Sequence, residues 1–433
     1  AAEAEAATAT AAAAAAQGKR GKFQIDPSKA EDVKKTAREG GLPLLEEYAY
    51  NEDTRNPIIS GFDLRTRKST TNMVIKVRDY QEKALSRMFG SGCARSGIIV
   101  LPCGAGKTLV GIAAAQTIKR SCLVLCNNNT AAEQWKKEFH AFTTVPKHLV
   151  MLFTKDSKPA KVPLGCILVT TYSMMSYGGE RAAEAAAVLA QIANREWGLM
   201  LLDEVHIAPA RMFRKVMSTA KAHCKLGLTA TLVREDDLID DLHFLIGPKL
   251  YEANWLDLTN RGFLADVQCV EVWCPMAPAF CREYLRSERH RSKQLLYAMN
   301  SNKFRAAEFL INYHRGRNDK VLLFSDDLFC LENYCNALKI PYIHGATHHD
   351  EREFLLGCFR GDDRFLYRMY VRRTLKLDLA DVVRGVQDNA QTQQLKVQYS
   401  MMTKAERKEY EISTLGLSVV GDVAIDLPEA NVL

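Results

Sequence analysis

The glycine-rich run Gly104-Ala105-Gly106-Lys107-Thr108 is the first group of residues whose types and spacing suit chemistry. Glycines let backbone N–H groups approach phosphate oxygens without a clash from a Cβ atom. A helix that begins at Lys107 adds the partial positive charge of its N-terminus. The Lys107 ammonium can then contact the outer phosphates, and the Thr108 hydroxyl can ligate Mg²⁺. The strict form of this pattern would have glycine at position 101. The predicted nucleotide contacts in this loop are Leu101, Pro102, Cys103, Gly104, Ala105, Gly106, Lys107 and Thr108.

Two adjacent acids, Asp203 and Glu204, follow the apolar run Leu199–Leu202. A carboxylate at the carboxyl end of a parallel strand lies beside such a loop, where a Mg²⁺ ligand belongs. Asp203 suits that role, and Glu204 would polarise the water that attacks the γ-phosphate. The alternative is an ordinary acidic turn after a buried strand. The order of the two motifs favours hydrolysis of a nucleoside triphosphate, with ATP and Mg²⁺ as cofactors and Lys107, Asp203 and Glu204 as catalytic residues.

Two weaker signals accompany these motifs. Thr229, Ala230 and Thr231 follow another apolar run, so their hydroxyls would lie beside the acids and couple hydrolysis to a facing domain. A plain turn is equally consistent with this sequence. Upstream, Arg78 begins a helix and Gln81 offers an amide that can read an adenine edge, although a solvent-facing glutamine is the alternative.

The pattern around these residues is that of an α/β domain. Short apolar runs alternate with helical periods from about residue 76 to 250, which is typical of a parallel sheet. The predicted strands are Gly97–Leu101, Cys122–Cys126, Ile167–Thr170, Leu199–Leu202 and Lys225–Leu228. The predicted helices are Tyr80–Met88, Lys107–Lys119, Thr130–Phe139 and Ala182–Asn194.

The flanking regions differ in character. Residues 1–22 form an alanine-rich tail, and residues 23–75 form a lead-in arm with one amphipathic helix, Pro27–Arg38. Residues 251–320 are predicted to be a connector. Within 282–317, nine Lys or Arg accompany three Glu, which indicates a solvated helical face or a contact with a phosphate backbone. A second α/β series occupies 321–433. Its predicted elements are the strands Val321–Phe324 and Tyr342–Ile343 and the helices Leu328–Leu338 and Asp350–Arg360.

Composition excludes several classes of protein. A chain of 433 residues is too long for one core, and 47% apolar with 25% charged residues is globular rather than disordered or fibrous. The net charge of +7 favours an acidic partner such as nucleic acid. No apolar run approaches the roughly 18 residues of a membrane span, so no membrane association is expected. The 12 scattered cysteines indicate a reducing compartment, cytosol or nucleus.

In their order and spacing, Gly104–Thr108, Asp203–His206 and Thr229–Thr231 resemble motifs I, II and III of the superfamily 2 helicases. Longer stretches are similar to the XPB family, the helicase subunits of the transcription and repair factor TFIIH. They are Arg95–Lys107 (RSGIIVLPCGAGK), Glu196–His206 (EWGLMLLDEVH), Ala222–Asp237 (AHCKLGLTATLVREDD) and Leu245–Trp255 (LIGPKLYEANW), with shorter matches in Val272–Met276, Asn302–Arg305 and Asp426–Leu433.

The resemblance implies two tandem RecA-like parallel-sheet lobes with a thumb-like helical insertion. It also implies a nuclear, ATP-driven translocase or helicase with 3′–5′ polarity on double-stranded DNA. Such a protein would work with other TFIIH subunits in promoter opening and nucleotide excision repair.

The resemblance also implies roles for further residues. Arg234, Glu235 and Asp236 coincide with the family's R-E-D element, which is implied to touch or separate DNA. Residues 280–300 coincide with the thumb-like insertion, which is implied to grip DNA and overlaps the basic segment. The candidate DNA contacts in this insertion are Arg286, Arg289, Arg291 and Lys293. His206 is implied to bridge to the family's motif VI.

The sequence departs from the family in two places. Motif VI, whose arginines would stabilise the transferring phosphate, should follow Asp426–Leu433, where the sequence ends. The second lobe is therefore expected to be incomplete at its C-terminus and hydrolysis to be slow. Segment 362–412 is helix-prone and basic and stands where the family needs only a short link. It would be either a lineage insertion or a region joined here from elsewhere in the protein.

Two other functions remain open. A scaffold subunit could bind nucleotide to hold its fold, with weak or no hydrolysis. An RNA helicase is disfavoured because Asp203–His206 reads D-E-V-H and the longer matches are to a DNA-acting family.

Overall fold

A computed structural model of the chain describes residues 46–65, 75–90, 92–179, 182–206, 210–231, 239–385 and 389–418, with single positions at 33, 36, 37, 40 and 430. The chain forms two compact units, Ala1–Val267 and Gln268–Leu433. Each contains a parallel sheet with helices, which confirms the predicted α/β fold class. Within the described ranges, no helix combines the length and apolar character that a membrane span requires.

The first unit is built around a seven-stranded sheet. Its strands are β1 (Glu47–Tyr48), β2 (Ala94–Arg95), β3 (Gly97–Val100), β4 (Cys122–Cys126), β5 (Val150–Phe153), β6 (Ile167–Thr171), β7 (Glu196–Asp203), β8 (Lys221–Thr229) and β9 (Lys249–Glu252). Its helices are α1 (Asp79–Phe89), α2 (Lys107–Ile118), α3 (Asn129–Phe142), α4 (Tyr172–Ser176), α5 (Ala183–Ala193), α6 (Ala210–Thr219), α7 (Ile239–Leu245) and α8 (Trp255–Asn260). The sheet has the order β5-β6-β4-β7-β8-β3-β9 with all neighbours parallel, while β1 pairs with β2 in antiparallel fashion.

The central strands of this sheet follow directly from their composition. All five residues of β4 and of β6 are buried, as expected where helices cover both faces of a parallel sheet. Strands β7 and β8 are longer than their apolar runs predict. Their pairing continues from Asp203, opposite Leu228, down to Glu196, opposite Lys221, so polar residues extend the ladder toward solvent.

Residues 46–65 of the predicted arm pack against this unit. The guanidinium of Arg120 is 8% exposed and donates hydrogen bonds to the carbonyl oxygens of Tyr50 and Asn56. Leu64 forms an isolated antiparallel bridge with Thr143. The predicted helix Pro27–Arg38 lies almost wholly outside the described residues.

The second unit has a three-stranded parallel sheet in the order β10-β12-β11. Its strands are β10 (Val321–Ser325), β11 (Tyr342–Ile343) and β12 (Thr414–Ser418). Its helices are α9 (Pro278–Arg286), α10 (His290–Ala298), α11 (Ser301–Gly316), α12 (Leu328–Leu338), α13 (His349–Arg360), α14 (Asp363–Leu375), α15 (Leu379–Arg384), α16 (Ala390–Met401) and α17 (Lys404–Lys408). The sequence analysis missed β12, which is fully buried at the centre of this sheet.

Segment 362–412 folds as the four helices α14 to α17, in agreement with its helix-prone sequence. Leu366, Val371 and Val382 are buried, and the segment contributes side chains to two apolar clusters of the second unit. Lys320 pairs with Glu411 at 2.9 Å, which ties the end of the segment to the start of β10.

Candidate active site

The predicted nucleotide loop connects β3 to α2 at the carboxyl edge of the first sheet. Gly104 and Gly106 have φ angles of +78° and +80°, a conformation that favours glycine. A Cβ atom on Gly106 would also lie 2.6 Å from Gln81 Nε2, so a side chain has no room there. Cys103, Gly104 and Gly106 are exposed, whereas Leu101 and Ala105 are buried, and Pro102 is half-buried. The loop therefore presents glycine backbone to solvent at the N-terminus of α2.

Gln81 supports this loop from α1. Its side chain is 2% exposed, and Nε2 donates to the carbonyl oxygen of Ala105 at 2.9 Å. Its Oε1 accepts from the backbone N–H of Arg78. Both ends of the amide contact the protein, so the predicted reading of adenine would require Gln81 to leave these partners. The exposed Arg78 guanidinium lies 4.9 Å from the centroid of the Phe263 ring.

The acid and the lysine of the predicted catalytic set come together at the end of β7. Lys107 Nζ lies 2.8 Å from Glu204 Oε1, and the two side chains are 12% and 25% exposed. Glu204 has a φ angle of +47°, which is uncommon for a residue with a side chain and turns it off the strand. Its Oε2 is buried and accepts no hydrogen bond from the described residues. The Glu204 carboxylate therefore lies beside the loop with one oxygen paired with Lys107 and the other shielded from solvent.

Asp203, the preceding residue, is held by two aromatic side chains. The indole Nε1–H of Trp135 donates to Asp203 Oδ2 at 2.8 Å, and the Tyr172 hydroxyl donates to the Asp203 carbonyl oxygen at 2.9 Å. Burial raises the pKa of Asp203 to about 6, against the lowering effect of the Trp135 hydrogen bond and the Lys107 charge. Thr108, the other predicted metal ligand, is half-buried in the first turn of α2. A buried carboxylate and a hydroxyl are oxygen donors of the kind that suits Mg²⁺.

The predicted coupling residues form a hydrogen-bonded chain. The Thr229 hydroxyl donates to the carbonyl oxygen of Thr231 at 2.7 Å, so His206 Nδ1, 2.7 Å from that hydroxyl, would donate to it. His206 Nδ1 also lies 3.4 Å from Glu204 Oε2. Ala230 is half-buried between the two threonines. The hydrogen bonds run from His206 through Thr229 to Thr231, and the His206 ring lies beside the Glu204 carboxylate.

The structure describes only some of the predicted DNA contacts. Arg234, Glu235 and Asp236 lie outside the described residues. The other four candidates lie in the second unit, on the helical hairpin of α9 and α10. Arg286 is exposed and pairs with Glu283, and Arg289 is exposed at the N-cap of α10. Arg291 pairs with Asp327 at 2.8 Å. Lys293 lies 5.3 Å from the centroid of the Tyr284 ring.

Trp135 and Tyr172 are the residues near the acids that the sequence analysis missed. Trp135 reads as one of several core positions of an amphipathic helix, and no motif links it to Asp203. Tyr172 follows a wholly buried strand and could have been noticed only as an aromatic residue at the same sheet edge.

Two family models match stretches of this sequence. A model described as the type III restriction enzyme res subunit matches residues 74–234, and a model described as the ERCC3/RAD25/XPB C-terminal helicase matches residues 258–373. The second match ends inside segment 362–412.

Curated relatives match nearly the whole sequence. The transcription and DNA repair factor IIH helicase/translocase subunit XPB of Dictyostelium discoideum is 46% identical over 411 residues, and XPB2 of Arabidopsis thaliana is 47% identical over 414 residues. The XPB/SSL2 subunit of Saccharomyces cerevisiae is 44% identical over 411 residues. Each match covers 95% of this chain and 44%, 47% and 42% of the respective relative, so the chain spans about half the length of the relatives that it matches. Since identity at this level extends through both compact units, the chain belongs to the XPB family of helicase/translocase subunits.

Proposed function

We propose that the chain is the motor part of an ATP-dependent double-stranded DNA translocase and helicase with 3′–5′ polarity. It would act in the nucleus with other TFIIH subunits, in promoter opening and nucleotide excision repair. The observation that carries the proposal is the pairing of Lys107 with Glu204 at the sheet edge where Asp203 ends β7. That pairing brings a phosphate-binding cation and a water-activating acid to one glycine loop. The names of the relatives support the DNA-acting role.

ATP would bind with its phosphates against the exposed glycine backbone of the loop. Lys107 would then exchange its Glu204 partner for the outer phosphates, which frees both carboxylate oxygens of Glu204. Glu204 would accept a proton from the attacking water. Asp203 and Thr108 would hold Mg²⁺, which supplies positive charge to the phosphate oxygens when bound.

Hydrolysis would reach the rest of the motor through the chain of contacts from Glu204 to His206 and Thr229. When the γ-phosphate is lost, the Glu204 carboxylate would pair with Lys107 again. This pairing would change how the carboxylate faces His206. We assign residues 76–250 to the first ATPase lobe, 251–320 to the connector and thumb-like insertion, and 321–433 to the second lobe. DNA would contact Arg234 to Asp236 and the cations of the α9–α10 hairpin. Arg291 would exchange Asp327 for a phosphate.

Two substitutions test the site. Lys107→Ala should abolish nucleotide binding and hydrolysis because it removes the phosphate contact, whereas Glu204→Gln should retain ATP binding and lower turnover by about 10²–10⁴-fold. Lys158→Ala, at an exposed lysine away from the loop, is the matched control. The measurements are binding of a fluorescent ATP analogue and ATPase rates with duplex DNA, with RNA and without nucleic acid.

Each outcome separates the candidate functions. Stimulation by duplex DNA in the wild type and control, lost in both site variants, supports the motor. Undiminished turnover in both site variants would refute the assigned site. In the full-length protein, nucleotide binding with no DNA-stimulated turnover would instead support the scaffold, and preferential stimulation by RNA would support an RNA helicase.

A further inference from the structure

The indole of Trp135 lies outside the motif stretches Gly104–Thr108, Asp203–His206 and Thr229–Thr231, yet it contacts the acid at the end of β7. Trp135 is on α3, and its Nε1–H donates to Asp203 Oδ2 at 2.8 Å. The side chain is 1% exposed, so water does not compete for this donor. A hydrogen bond from a buried donor to a carboxylate is among the stronger kinds in proteins.

Packing fixes the ring that carries this donor. A Cβ atom added to Gly111 of α2 would lie 2.7 Å from the Trp135 ring, so α2 has a glycine where the indole passes. The Phe139 ring lies 6.0 Å away on the next turn of α3. The indole is held between α2, which begins at the nucleotide loop, and α3. This packing fixes the direction of its N–H bond.

The backbone of Asp203 is fixed independently of its side chain. Tyr172 donates its hydroxyl proton to the Asp203 carbonyl oxygen at 2.9 Å. Trp135 therefore controls what remains free, which is the rotation of the carboxylate. A carboxylate has about four lone-pair positions, so Asp203 can accept the indole N–H and still ligate a cation or its water.

We propose that Trp135 is a positioning residue for Mg²⁺, which holds the Asp203 carboxylate in the orientation that binds the ion in the nucleotide complex. The inference rests on the proposed function, because it assigns Asp203 to the metal. Partners of metal ligands set affinity strongly, and their loss typically costs about 10–100-fold in metal affinity.

The test is a Mg²⁺ titration of the 433-residue chain bound to a fluorescent ADP analogue. Trp135→Phe keeps an aromatic ring against Gly111 and removes the donor. We expect its apparent Mg²⁺ affinity to fall by about tenfold or more, while ADP binding in EDTA stays at the wild-type level. Trp197→Phe is the matched control, since Trp197 is fully buried on β7 and its indole donates to the carbonyl oxygen of Ile192. It should leave Mg²⁺ affinity unchanged.

A double-mutant comparison separates positioning from a general loss of structure. In an Asp203→Asn background, Trp135→Phe should cause no further loss of Mg²⁺ affinity, because the oriented carboxylate is already gone. An equal loss in both backgrounds, or wild-type Mg²⁺ affinity in Trp135→Phe, would overturn the inference. If Trp135→Phe fails to fold, benzothienylalanine at position 135 keeps the ring shape with sulfur in place of N–H, and the same loss is expected. Wild-type protein that binds ADP without any dependence on Mg²⁺ would refute the proposed function instead.

Discussion

At the scale of single residues, Asp203 shows a conflict between chemistry and stability. Asp203 is half-buried where β7 ends, and desolvation of its carboxylate raises its pKa to about 6 from an ordinary value of 3.8. The folded state therefore binds this proton more tightly than the unfolded state does. Below about pH 4 the Asp203 carboxyl does not reduce the free energy of unfolding. That free energy falls as the pH rises from 4 to 6, and above pH 6 the reduction is complete. The cost is about 3 kcal/mol at 1.4 kcal/mol for each pKa unit.

Asp203→Asn should therefore stabilise the nucleotide-free protein at pH 7.5. The amide oxygen can still accept the Trp135 N–H, and no buried charge remains. We expect the free energy of unfolding to rise by up to about 3 kcal/mol at pH 7.5 and to change little near pH 4. Denaturant titrations at the two pH values measure this, with Asp156→Asn at an exposed acid as control. Equal stabilisation at both pH values would contradict the assigned electrostatic cost.

The site also shows what sequence can predict about single residues. The glycine loop and the acids were predicted because each motif is local and follows a buried strand. The hydrogen bonds of Trp135 with Asp203 and of Gln81 with Ala105 were not predicted, because they join residues far apart in sequence. Neither pair has a spacing that marks it, and only the packing of α1 and α3 around the sheet brings the partners together.

At the scale of elements, residues 46–65 form part of the first unit rather than a free arm. Arg120, at the end of α2, supplies the buried guanidinium to which this stretch is attached. The apolar pattern of the stretch is weak, so the sequence gives little sign of the attachment. The buried Arg120 guanidinium holds the stretch in place by donating hydrogen bonds to two of its carbonyl oxygens.

Arg120→Met should loosen this attachment while the sheet stays folded. It removes the donors to Tyr50 and Asn56, and hydrogen bonds from charged groups contribute about 1.5–3 kcal/mol each. We expect faster amide hydrogen exchange in peptides from 46–65 and unchanged exchange in β4 and β6. Arg55→Met, at a largely exposed arginine of the same stretch, should have no such effect. Wild-type exchange in the Arg120 variant would show that other contacts hold the stretch.

Segment 362–412 is a structural part of the second unit, although the match to the helicase family model ends at residue 373 within it. Its helices bury some apolar residues against α13 and the small sheet and others, including Leu366, against one another. The sequence shows the helical periods of this segment. It does not show what the helices pack against, because the sheet beneath them is completed by β12, which was not predicted. The short, small-residue sequence of β12 (TLGLS) gives only a weak strand signal.

Leu366→Ala should destabilise the second unit. Leu366 is 2% exposed on α14, and truncation of a buried leucine leaves a cavity that costs about 2–5 kcal/mol. Hydrogen exchange of peptides from β10 and β12 should accelerate, while peptides from the first unit should not change. Val397→Ala, on the exposed face of α16, is the matched control. Unchanged exchange in the Leu366 variant would mean that the segment does not support the sheet.

At the scale of the whole molecule, the residues proposed for ATP and Mg²⁺ lie within the first compact unit, and the described candidates for DNA lie in the second. Cutting the chain at the boundary therefore separates the proposed ATP site from the α9–α10 hairpin and leaves only Arg234, Glu235 and Asp236 of the proposed DNA contacts beside it. Compact units that have their own cores can fold separately, so the fragments are expected to fold.

A fragment comprising residues 1–267 should bind Mg²⁺–ADP with an affinity close to that of the full chain. All residues proposed to contact the nucleotide lie in the first unit. The fragment should show much weaker stimulation of ATPase activity by duplex DNA, because the α9–α10 hairpin is removed and only Arg234, Glu235 and Asp236 of the proposed DNA contacts remain. Calorimetric titration and ATPase assays measure both properties, with Lys107→Ala in the fragment as the negative control. A fragment that does not bind ADP would place essential contacts beyond Val267.

The position of β12 has a consequence for synthesis on the ribosome. β10 and β11 do not touch each other in the sheet, since β12 lies between them and pairs Thr414 with Val321. The emerging polypeptide must keep both early strands unpaired while the five helices α13 to α17 are translated, and only then does the middle strand arrive. Unpaired apolar edges invite wrong partners during such a wait, so a nascent second unit would depend on a chaperone until Ser418 has left the exit tunnel.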